Sequence, residues 1–495
     1  MSILHAIISI FQPATFTYLV LGVLLGVFVG AMPGLTATLA VAILTPLTFW
    51  LPPSQGLAML IGVYNSAIFA GGISAILINT PGTPASIATT WDGYALSKKG
   101  MAGIALSVNS IYSVFGGLFS SLILAVISFP LAEFALKFGP SEYFALAIFG
   151  LSMMVSVSGK SIVKGLLVGV MGLALATVGL DPMLSYPRYT FGITSLLNGF
   201  SFIPIMIGLF GLGEVFYQIF ESHDVKSVFT KTIGRLFPTW EQIKRMNLPA
   251  LLSAIIGVVI GAIPGTGGDI ASIISWDQAK KISKHKEEFG KGSVEGLAAT
   301  CVANNAVIGG AMTTMLTLGL PGDAPTAILI GALMMYGHPP GPALFRDYPD
   351  FVWTIIGLMF VANLVILPVG ILGSRIYAKT LTLSKPILWS IIIIFSIIGS
   401  YGVSNNPMDL WVVFVAGIFG FIFRKLEFPL GPVILALILG PMAEANLRRA
   451  LIISHGRWSV FVTHPISLTL LILSALALIL PLIKQKKKEM KEDGT

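Results

Sequence analysis

Long apolar runs follow one another along almost the whole chain and predict helices that cross a membrane. A helix needs about 20 apolar residues to cross the roughly 30 Å hydrocarbon core of a bilayer. Most of the runs reach that length, and several contain no charged residue. The runs cover 17–33, 57–80, 104–130, 143–157, 199–219, 296–320, 352–373, 387–402 and 466–483. The pattern therefore predicts an all-α, polytopic integral membrane protein.

Composition and charge agree with this class and exclude several others. Of the 495 residues, 55% are hydrophobic and 11% charged, against about 25% charged in soluble domains. The net charge of +8 comes from short loops and a tail at 484–491, which is typical of cytoplasmic segments and not of a nucleic-acid patch. The single cysteine, Cys301, excludes an intramolecular disulfide and a cysteine-based zinc site. No Lys or Arg precedes the first apolar stretch, so we expect no cleavable signal peptide.

A second pattern is an internal repeat. GAMPG at 30–34 returns as GAIPG at 261–265, an offset of 231 residues. After an insertion of nine residues the offset becomes 240, which relates Asn65 to Asn305. Repeats of this kind are common in transporters. We predict an N-terminal segment at 1–16, membrane repeat 1 at 17–219, a basic cytoplasmic linker at 220–248, membrane repeat 2 at 249–443, a connecting segment with the last membrane helix at 444–483, and a basic cytoplasmic tail at 484–495.

Loop charges indicate that the two repeats have opposite orientations in the membrane. The loop at 91–100 carries two lysines, whereas its counterpart at 337–350 carries two aspartates and one arginine. The loop at 48–56 is uncharged, whereas its counterpart at 277–295 is rich in lysine. Because positively charged loops stay in the cytoplasm, we predict two inverted-topology repeats whose broken helices or hairpins meet near the bilayer midplane. Some basic residues fall on the outer side against this rule, namely Arg188, Arg448, Arg449 and Arg457.

Four Pro-Gly pairs interrupt the apolar runs, two in each repeat at matching positions. They are Pro33-Gly34, Pro81-Gly82, Pro264-Gly265 and Pro321-Gly322. A break at membrane depth leaves main-chain groups unpaired, so it is tolerated only where protein or a watery cavity surrounds it. The N-terminus of the following helix suits an anion, and the freed carbonyl groups suit a small cation. One such pair is also typical of a kink or an extramembrane turn, but four matched pairs favour one central site.

These breaks and the polar residues near them form the candidate site. The predicted substrate-binding residues are Pro33, Gly34, Leu35, Thr36, Thr38, Thr80, Pro81, Gly82, Thr83, Pro264, Gly265, Thr266, Gly267, Gly268, Pro321 and Gly322. The predicted cation-coupling residues are Asn65, Asp269, Asn304, Asn305 and Asp323. Two alternatives stay open, because a membrane Asn can simply bond a neighbouring helix and an Asp can simply cap its own helix.

Signals of enzymatic chemistry are weak. SGKS at 158–161 resembles the end of a phosphate-binding loop, but Met154 stands where that motif needs its first glycine. The six histidines lack metal-ligand spacing, and neither a nucleophile elbow nor an HExxH motif is present. We therefore predict no catalytic residue, no metal site apart from Na⁺, and no cofactor beyond Na⁺ or H⁺ as the coupling ion. The chain is not expected to be an enzyme.

The repeated motifs resemble a known family. GAMPGLTATLAVAILTPLTF, GGISAILINTPGTPASIATTWDGYAL, GAIPGTGGDIASIISWDQAKK and LGLPGDAPTAILIGAL are similar to the large membrane subunit of tripartite tricarboxylate transporters, the TctA family. The likeness extends from about residue 15 to beyond 440. It implies a bacterial inner-membrane permease that takes up small carboxylates with a cation gradient. It also implies two partners, a small membrane subunit and a periplasmic substrate-binding protein, and it makes the Pro-Gly loops the candidate substrate and ion site.

Other functions remain open at this point. An anion channel would predict rings of like residues and would not need paired broken helices. Uptake of a different small anionic metabolite, a membrane scaffold for a partner, and a membrane-embedded enzyme are further alternatives. If the chain is a secondary transporter, we expect one part of each repeat to move past a scaffold, because inverted repeats offer two near-equivalent states.

Overall fold

The structure is a computed structural model that describes residues 2–32, 35–153, 161–220, 234–380 and 385–492. Most of these residues are helical. The helices are α1 Ser2–Ile10, α2 Pro13–Ala31, α3 Ala37–Thr48, α4 Pro53–Ile78, α5 Thr89–Lys98, α6 Ala102–Ala135, α7 Pro140–Ser152, α8 Ile162–Ala176, α9 Phe202–Phe220, α10 Trp240–Gly261, α11 Gly267–Ile282, α12 Val294–Leu318, α13 Ala324–Met335, α14 Pro342–Asp347, α15 Pro349–Thr380, α16 Lys385–Ser404, α17 Pro407–Lys425, α18 Gly431–Ile453, α19 Val460–Thr463 and α20 Pro465–Glu492. A short hairpin pairs β1, Gly179–Leu180, with β2, Pro187–Arg188, in antiparallel fashion.

Eight of the described helices are long and apolar enough to cross a membrane. They are Pro13–Ala31, Pro53–Ile78, Ala102–Ala135, Phe202–Phe220, Trp240–Gly261, Val294–Leu318, Pro349–Gly373 and Pro407–Lys425. The expected all-α polytopic membrane class is therefore confirmed. The apolar runs did not identify α10 or α17, because charged residues such as Lys244 and Arg424 interrupt their ends.

The chain folds into two compact units. Unit 1 comprises Met1–Ala132 and Gln218–Val403, and unit 2 comprises Glu133–Tyr217 and Ser404–Thr495. Each unit therefore takes one part of each predicted repeat. The predicted domain boundaries stay predictions, although α10 begins at Trp240, inside the segment assigned to the linker.

In unit 1, two central helices are buried along nearly their whole length, and each carries a neighbour that approaches closely. These central helices are α4, which α2 approaches, and α12, which α10 approaches. A Cβ placed on Gly26 of α2 would lie 2.5 Å from the Val63 carbonyl oxygen of α4. A Cβ placed on Gly257 of α10 would lie 2.7 Å from the Ala303 carbonyl oxygen of α12. Glycine thus lets the main chains pack at a distance that any side chain would prevent.

The two central helices begin at different ends of unit 1. Gly56, in the first turn of α4, lies against the ring of Tyr336, which directly follows α13. Gly296, in the first turn of α12, lies against the carboxylate of Asp92 in α5. The start of α4 therefore lies beside the end of α13. The start of α12 likewise lies beside α5.

Unit 2 packs α7, α8, α9, α17, α18 and α20 around its own core. Its α9 contains a π-helical turn at Ile207–Leu212, and Leu209 in this turn packs with Val412 of α17 and Val433 of α18. Insertions of this kind displace the residues after them around the helix axis. The apolar groove beside this core has a volume of about 590 Å³, and its lining of residues such as Met171 and Trp411 is almost entirely nonpolar.

An ion-pair network in unit 2 contains Arg188 and Arg448, two of the four basic residues that oppose the predicted topology. Arg188 donates to both carboxylate oxygens of Glu444, at 2.7 and 3.2 Å, and Arg448 donates to Asp181 at 2.7 Å. Main-chain N–H groups of Leu184 and Met183 also donate to Asp181, and together with Arg448 they hold the pKa of that carboxyl below its usual range. Arg188 and Arg448 are therefore neutralised locally, which weakens the objection they raise to the predicted topology.

Candidate functional site

The helices before the second and fourth breaks end in the same way. Asn79 follows α4 in the left-handed region at φ 57°, and Gly319 follows α12 in that region at φ 69°. These two positions are related by the repeat offset of 240. A left-handed residue is a common helix terminator because it turns the chain away from the axis. Both helices thus stop inside unit 1 and lead into their Pro-Gly pairs through the same turn.

Each of these Pro-Gly pairs packs against the end of an earlier helix of its own repeat, which is α2 in repeat 1 and α10 in repeat 2. A Cβ on Gly82 would overlap the carbonyl oxygen of Gly30, at the end of α2. A Cβ on Gly322 would lie 2.7 Å from the carbonyl oxygen of Gly261, the last residue of α10. Glycine is required at both positions because the main chain of another helix end occupies the space of a side chain.

The two breaks of repeat 2 are joined directly. The N–H group of Gly265 donates to the Gly322 carbonyl oxygen at 2.7 Å. The corresponding break of repeat 1, at Pro33 and Gly34, lies outside the described residues. Leu35 and Thr38, which follow it, are buried, and the Thr36 hydroxyl caps α3 by accepting the Leu39 N–H at 3.1 Å. The α3 helix packs on α13, so the segment after the first break lies next to the segment after the fourth.

Two contacts bring the breaks of the different repeats together. The hydroxyl of Tyr64, buried in α4, donates to the Asp323 carboxylate at 2.5 Å. A Cβ on Gly268, in the first turn of α11, would lie 2.8 Å from the Ala85 Cβ and 3.1 Å from the Asn304 Oδ1 atom. Ala85 belongs to the short 3-10 turn Pro84–Ser86 that follows the second break. Each repeat thus contacts the broken segments of the other.

The polar residues around the breaks differ in what their side chains bond. Asp323 caps α13, because its carboxylate accepts the Thr326 N–H at 3.0 Å and the Thr326 hydroxyl at 2.7 Å. The hydroxyl of Thr266 turns back to the carbonyl oxygens of Ile260 and Ile263 and does not cap α11. Thr80 is half-buried, and its hydroxyl donates weakly to Ile78 at 3.4 Å. Thr83 is buried, with its hydroxyl 3.3 Å from that of Ser86.

The predicted asparagines differ in how well they are bonded. Asn65 donates to Ile61 at 2.9 Å and accepts from Asn363 of α15 at 3.2 Å, so it bonds a neighbouring helix. Asn305 donates to Cys301 at 3.1 Å. Within the part of the chain that the structure describes, no hydrogen bond reaches the buried Oδ1 atoms of Asn304 and Asn305.

Asp269 lies in the first turn of α11 beside two glycines. Its carboxylate is half-buried and lies against the main-chain N–H groups of Asp269 and Ile270. A Cβ on Gly267, which has φ 70°, would lie 2.8 Å from the Asp269 Oδ1 atom. Pro264 is buried and Pro81 is half-buried, whereas Pro321 is buried next to Gly322. The acidic groups of the site therefore stand at the two helix starts of repeat 2.

The sequence reasoning missed three residues that shape this region. Tyr64 lies at the repeat position of Asn304, so the offset of 240 could have identified it. Asn363 had no such signal, because its contact with Asn65 spans 298 positions of the chain. Asp92 is buried and accepts hydrogen bonds from the N–H groups of Gly290, Gly292, Ser293 and the Trp276 indole at 2.7–2.9 Å.

Comparison with known proteins identifies the family. Residues 16–435 match the family described as "Tripartite tricarboxylate transporter TctA family". An uncharacterized 52.8 kDa protein from the TAR-I ttuC′ 3′ region of Agrobacterium vitis is 39% identical over 481 residues, which cover 97% of this chain and 96% of that protein. An uncharacterized protein from the TAR-II ttuC′ 3′ region of Agrobacterium vitis is 38% identical over 237 residues, which cover 47% of this chain and 98% of that protein.

No solved structure matches the chain. The family match nevertheless covers all four Pro-Gly pairs and nearly all of the predicted repeats, and the TAR-I relative is similar over nearly its whole length. The chain therefore belongs to the tripartite tricarboxylate transporter TctA family and is a membrane component of a transporter.

Proposed function

We propose that this chain is the permease subunit of a binding-protein-dependent secondary transporter in the bacterial inner membrane. It takes up small di- or tricarboxylates and uses a cation gradient as its energy source. Its partners are a periplasmic substrate-binding protein and a small membrane subunit, in keeping with the tripartite family to which it belongs. Its C-terminal tail is basic and lies in the cytoplasm under this proposal.

The observation that carries this proposal is the meeting of broken segments inside unit 1. The Gly265–Gly322 hydrogen bond, the Tyr64–Asp323 hydrogen bond and the approach of Gly268 to Ala85 gather segments from both repeats. Broken helices at one place supply helix N-termini for an anion and free carbonyl groups for a cation. A co-transporter of a carboxylate and a cation needs its anion-binding helix N-termini close to its cation-binding carbonyl groups.

The distribution of charge supports a division of labour between the repeats. The segments directly after the two breaks of repeat 1 contain the hydroxyl residues Thr36, Thr38 and Thr83 and no acidic residue. The segments after the breaks of repeat 2 contain Asp269 and Asp323. Because like charges repel, we propose that substrate carboxylates bind on the repeat 1 side and that the coupling cation binds on the repeat 2 side.

The contacts at the ends of unit 1 support inverted topology. Lys98 lies in the same helix as Asp92, which binds the loop before α12, and Lys291 lies in that loop. The lysine-containing segments 91–100 and 277–295 are therefore neighbours, although they do not occupy corresponding positions in the two repeats. The uncharged loop after Thr48 is beside Tyr336, because the Tyr336 hydroxyl donates to the Thr48 carbonyl oxygen at 2.7 Å. Inverted repeats would place the basic segments together on the cytoplasmic side and the uncharged loop on the outer side, in agreement with these contacts.

Transport requires the site to open to one side at a time. Because the described broken segments all lie in unit 1, movement of unit 1 as one body would carry substrate and cation together, with unit 2 as the scaffold. Inverted repeats allow two such states of similar free energy. Paired cysteines introduced into the two units should cross-link in different patterns with and without substrate. A single pattern under all conditions would contradict the moving-unit mechanism.

Uptake into proteoliposomes tests the function. The chain is reconstituted with its two partner subunits, and labelled di- and tricarboxylates are added under an imposed Na⁺ or H⁺ gradient. We expect accumulation above the external concentration, dependent on one gradient and on the binding protein. Equilibration without a gradient would indicate an anion channel, and no flux for any carboxylate would reject this substrate class.

A further inference from the structure

We infer that the first turn of α11 holds a Na⁺ site formed by Asn304 and Asp269, and that its counterpart at Tyr64 and Asp323 is less available to metal ions. This inference rests on the proposed transporter function and selects one place among the residues proposed for cation coupling. Two positions related by the repeat have different bonding states, and this difference identifies the site.

The two positions are equivalent in sequence but not in chemistry. Tyr64 and Asn304 are related by the offset of 240, and each lies in a buried central helix and points at a broken segment. The Tyr64 hydroxyl donates a hydrogen bond to one carboxylate oxygen of Asp323, and the Thr326 N–H group donates to the other. Both oxygens of that carboxylate therefore already accept hydrogen bonds from protein groups, so the Asp323 position is less available to a metal ion.

The Asn304 position is different because an acceptor there is unused. Asn304 is 3% exposed, and its Oδ1 atom lacks a hydrogen-bond donor among the described residues. A buried amide oxygen without a donor is unfavourable and uncommon in native proteins, so this atom is a candidate ligand for an ion. The atom points at the first turn of α11, 3.1 Å from where a Gly268 Cβ would be, and the Asn304 carbonyl oxygen lies 3.6 Å from the same point.

The neighbouring charge favours a cation over the substrate. Asp269 lies one residue after Gly268, and its carboxylate already occupies N–H groups at the start of α11. This internal anion neutralises the positive end of the helix, so a substrate carboxylate would meet a like charge there. A small hard cation would instead gain carboxylate and amide oxygens, the ligand type that such ions prefer. One carboxylate balances one positive charge, which favours Na⁺ over a divalent ion.

The glycines of this turn keep the place open. A Gly268 side chain would come within 2.8 Å of the Ala85 Cβ as well as close to Asn304, and Gly267 has φ 70°, which disfavours other residues. Ala85 follows the second break of repeat 1, where we propose that substrate binds. The Na⁺ site is thus next to the substrate side, so each ligand can change the affinity for the other, as coupled transport requires.

Na⁺-dependent stabilisation of the purified chain tests the site without any transport assay. The unfolding temperature in detergent is measured while NaCl replaces KCl at constant ionic strength, since a ligand that binds only the folded state raises that temperature. We expect a saturable rise with Na⁺ for the wild type. Asn304→Ala and Asp269→Asn should weaken the apparent Na⁺ affinity by at least about tenfold. Asn304→Asp, which keeps an oxygen ligand, should restore binding.

Ser128→Ala is the matched control, because Ser128 is a buried polar residue of α6 whose hydroxyl has no partner in the described part of the structure. It should retain the Na⁺ effect of the wild type. A wild type that responds equally to Na⁺ and K⁺, or a folded Asn304→Ala protein with unchanged Na⁺ affinity, would overturn the site. Gradient-driven carboxylate uptake in that case would leave the proposed function intact. Normal Na⁺ binding without carboxylate uptake would reject the function and keep the site.

Discussion

Gly261 and Gly82 occupy positions where a side chain would overlap the main chain of a neighbouring helix. For Gly261 the neighbour is Val307 of α12, and for Gly82 it is Gly30 at the end of α2. Close approach of this kind gains packing contacts between helices that a membrane does not otherwise drive together. At the scale of single residues, the sequence therefore places glycine where helix ends must meet around the breaks.

Gly261→Ala should destabilise the protein because its methyl group would force α10 away from α12. Overpacking of a buried contact costs about 1–3 kcal/mol. The matched control is Gly402→Ala in α16, whose Cβ would meet only Trp50, at 3.9 Å, among the described residues. This variant should gain about 0.5–1 kcal/mol through helix propensity. The unfolding midpoints of both variants in detergent test this difference. Equal midpoints would show that the α10–α12 contact tolerates a side chain.

At the scale of elements, buried carboxylates join segments that are distant in sequence. Asp92 of α5 binds three N–H groups of the loop at 290–293 and the indole of Trp276 in α11. The hydrophobic pattern gave no indication of this role, because Asp92 is in a short polar helix. Burial of the carboxylate is possible because four donors replace its water shell.

Asp92→Ala should lower the free energy of unfolding by at least about 2 kcal/mol, since it leaves several buried donors without an acceptor. Asp277→Ala serves as its control. Asp277 is 53% exposed and pairs with Lys281 at 2.6 Å, and an exposed pair of this kind contributes about 0.5 kcal/mol or less. Denaturant or thermal unfolding of the two variants measures the difference. A loss for Asp92→Ala as small as that for Asp277→Ala would contradict the joining role.

The hairpin of unit 2 should depend on pH through Asp181. The pKa of this carboxyl is held below its usual range by the N–H groups of Leu184 and Met183 and by Arg448. A carboxyl whose pKa is lowered by folding stabilises the fold above its unfolded pKa of about 3.9, and this stabilisation is lost as the pH falls through the lower, folded value.

Hydrogen exchange of the peptide covering 180–190, corrected for the intrinsic pH dependence, measures this effect. We expect protection at neutral pH and faster exchange as the pH falls below the usual aspartate range. Asp181→Asn should remove the pH dependence, because the amide does not titrate there. A wild-type hairpin with unchanged protection down to the lowest pH at which the protein stays folded would contradict the prediction.

At the scale of the whole molecule, the two units divide the repeats between them. Unit 1 takes the part of each repeat that contains the breaks, and unit 2 takes the remainder. The sequence alone suggested two successive halves, because the motifs recur along the chain. Membership of the transporter family gives this division a functional meaning, since the segments proposed to bind substrate and cation then belong to one compact body.

Inverted topology can be tested by cysteine labelling in a Cys301→Ala background. Lys98→Cys and Lys291→Cys should react with a membrane-impermeant maleimide only after the membrane is opened, because both belong to the predicted cytoplasmic side. Trp50→Cys and Met335→Cys, at positions 79% and 48% exposed, should react in intact cells. Labelling of Lys98→Cys and Lys291→Cys from opposite sides would reject the inversion.

The amino-acid sequence by itself determined the class, the family and the positions of the breaks. These features are local or repeated along the chain: a run of apolar residues must be long enough to cross a bilayer, and a Pro-Gly pair disrupts a helix wherever it occurs. The match of the motifs at offsets of 231 and 240 likewise needs no knowledge of contacts. The left-handed caps at Asn79 and Gly319 were not predicted as such, although they lie at matched positions.

Only the tertiary structure decided which polar groups meet. Asp323 is paired with Tyr64 across 259 positions, whereas Asn304 has an amide oxygen that no donor reaches among the described residues. The sequence treats these residues as equal candidates, because hydrogen bonding depends on which helices become neighbours after folding. The burial of Asp92 and the division into two units have the same cause. Contacts between residues hundreds of positions apart are set by packing and not by any local pattern.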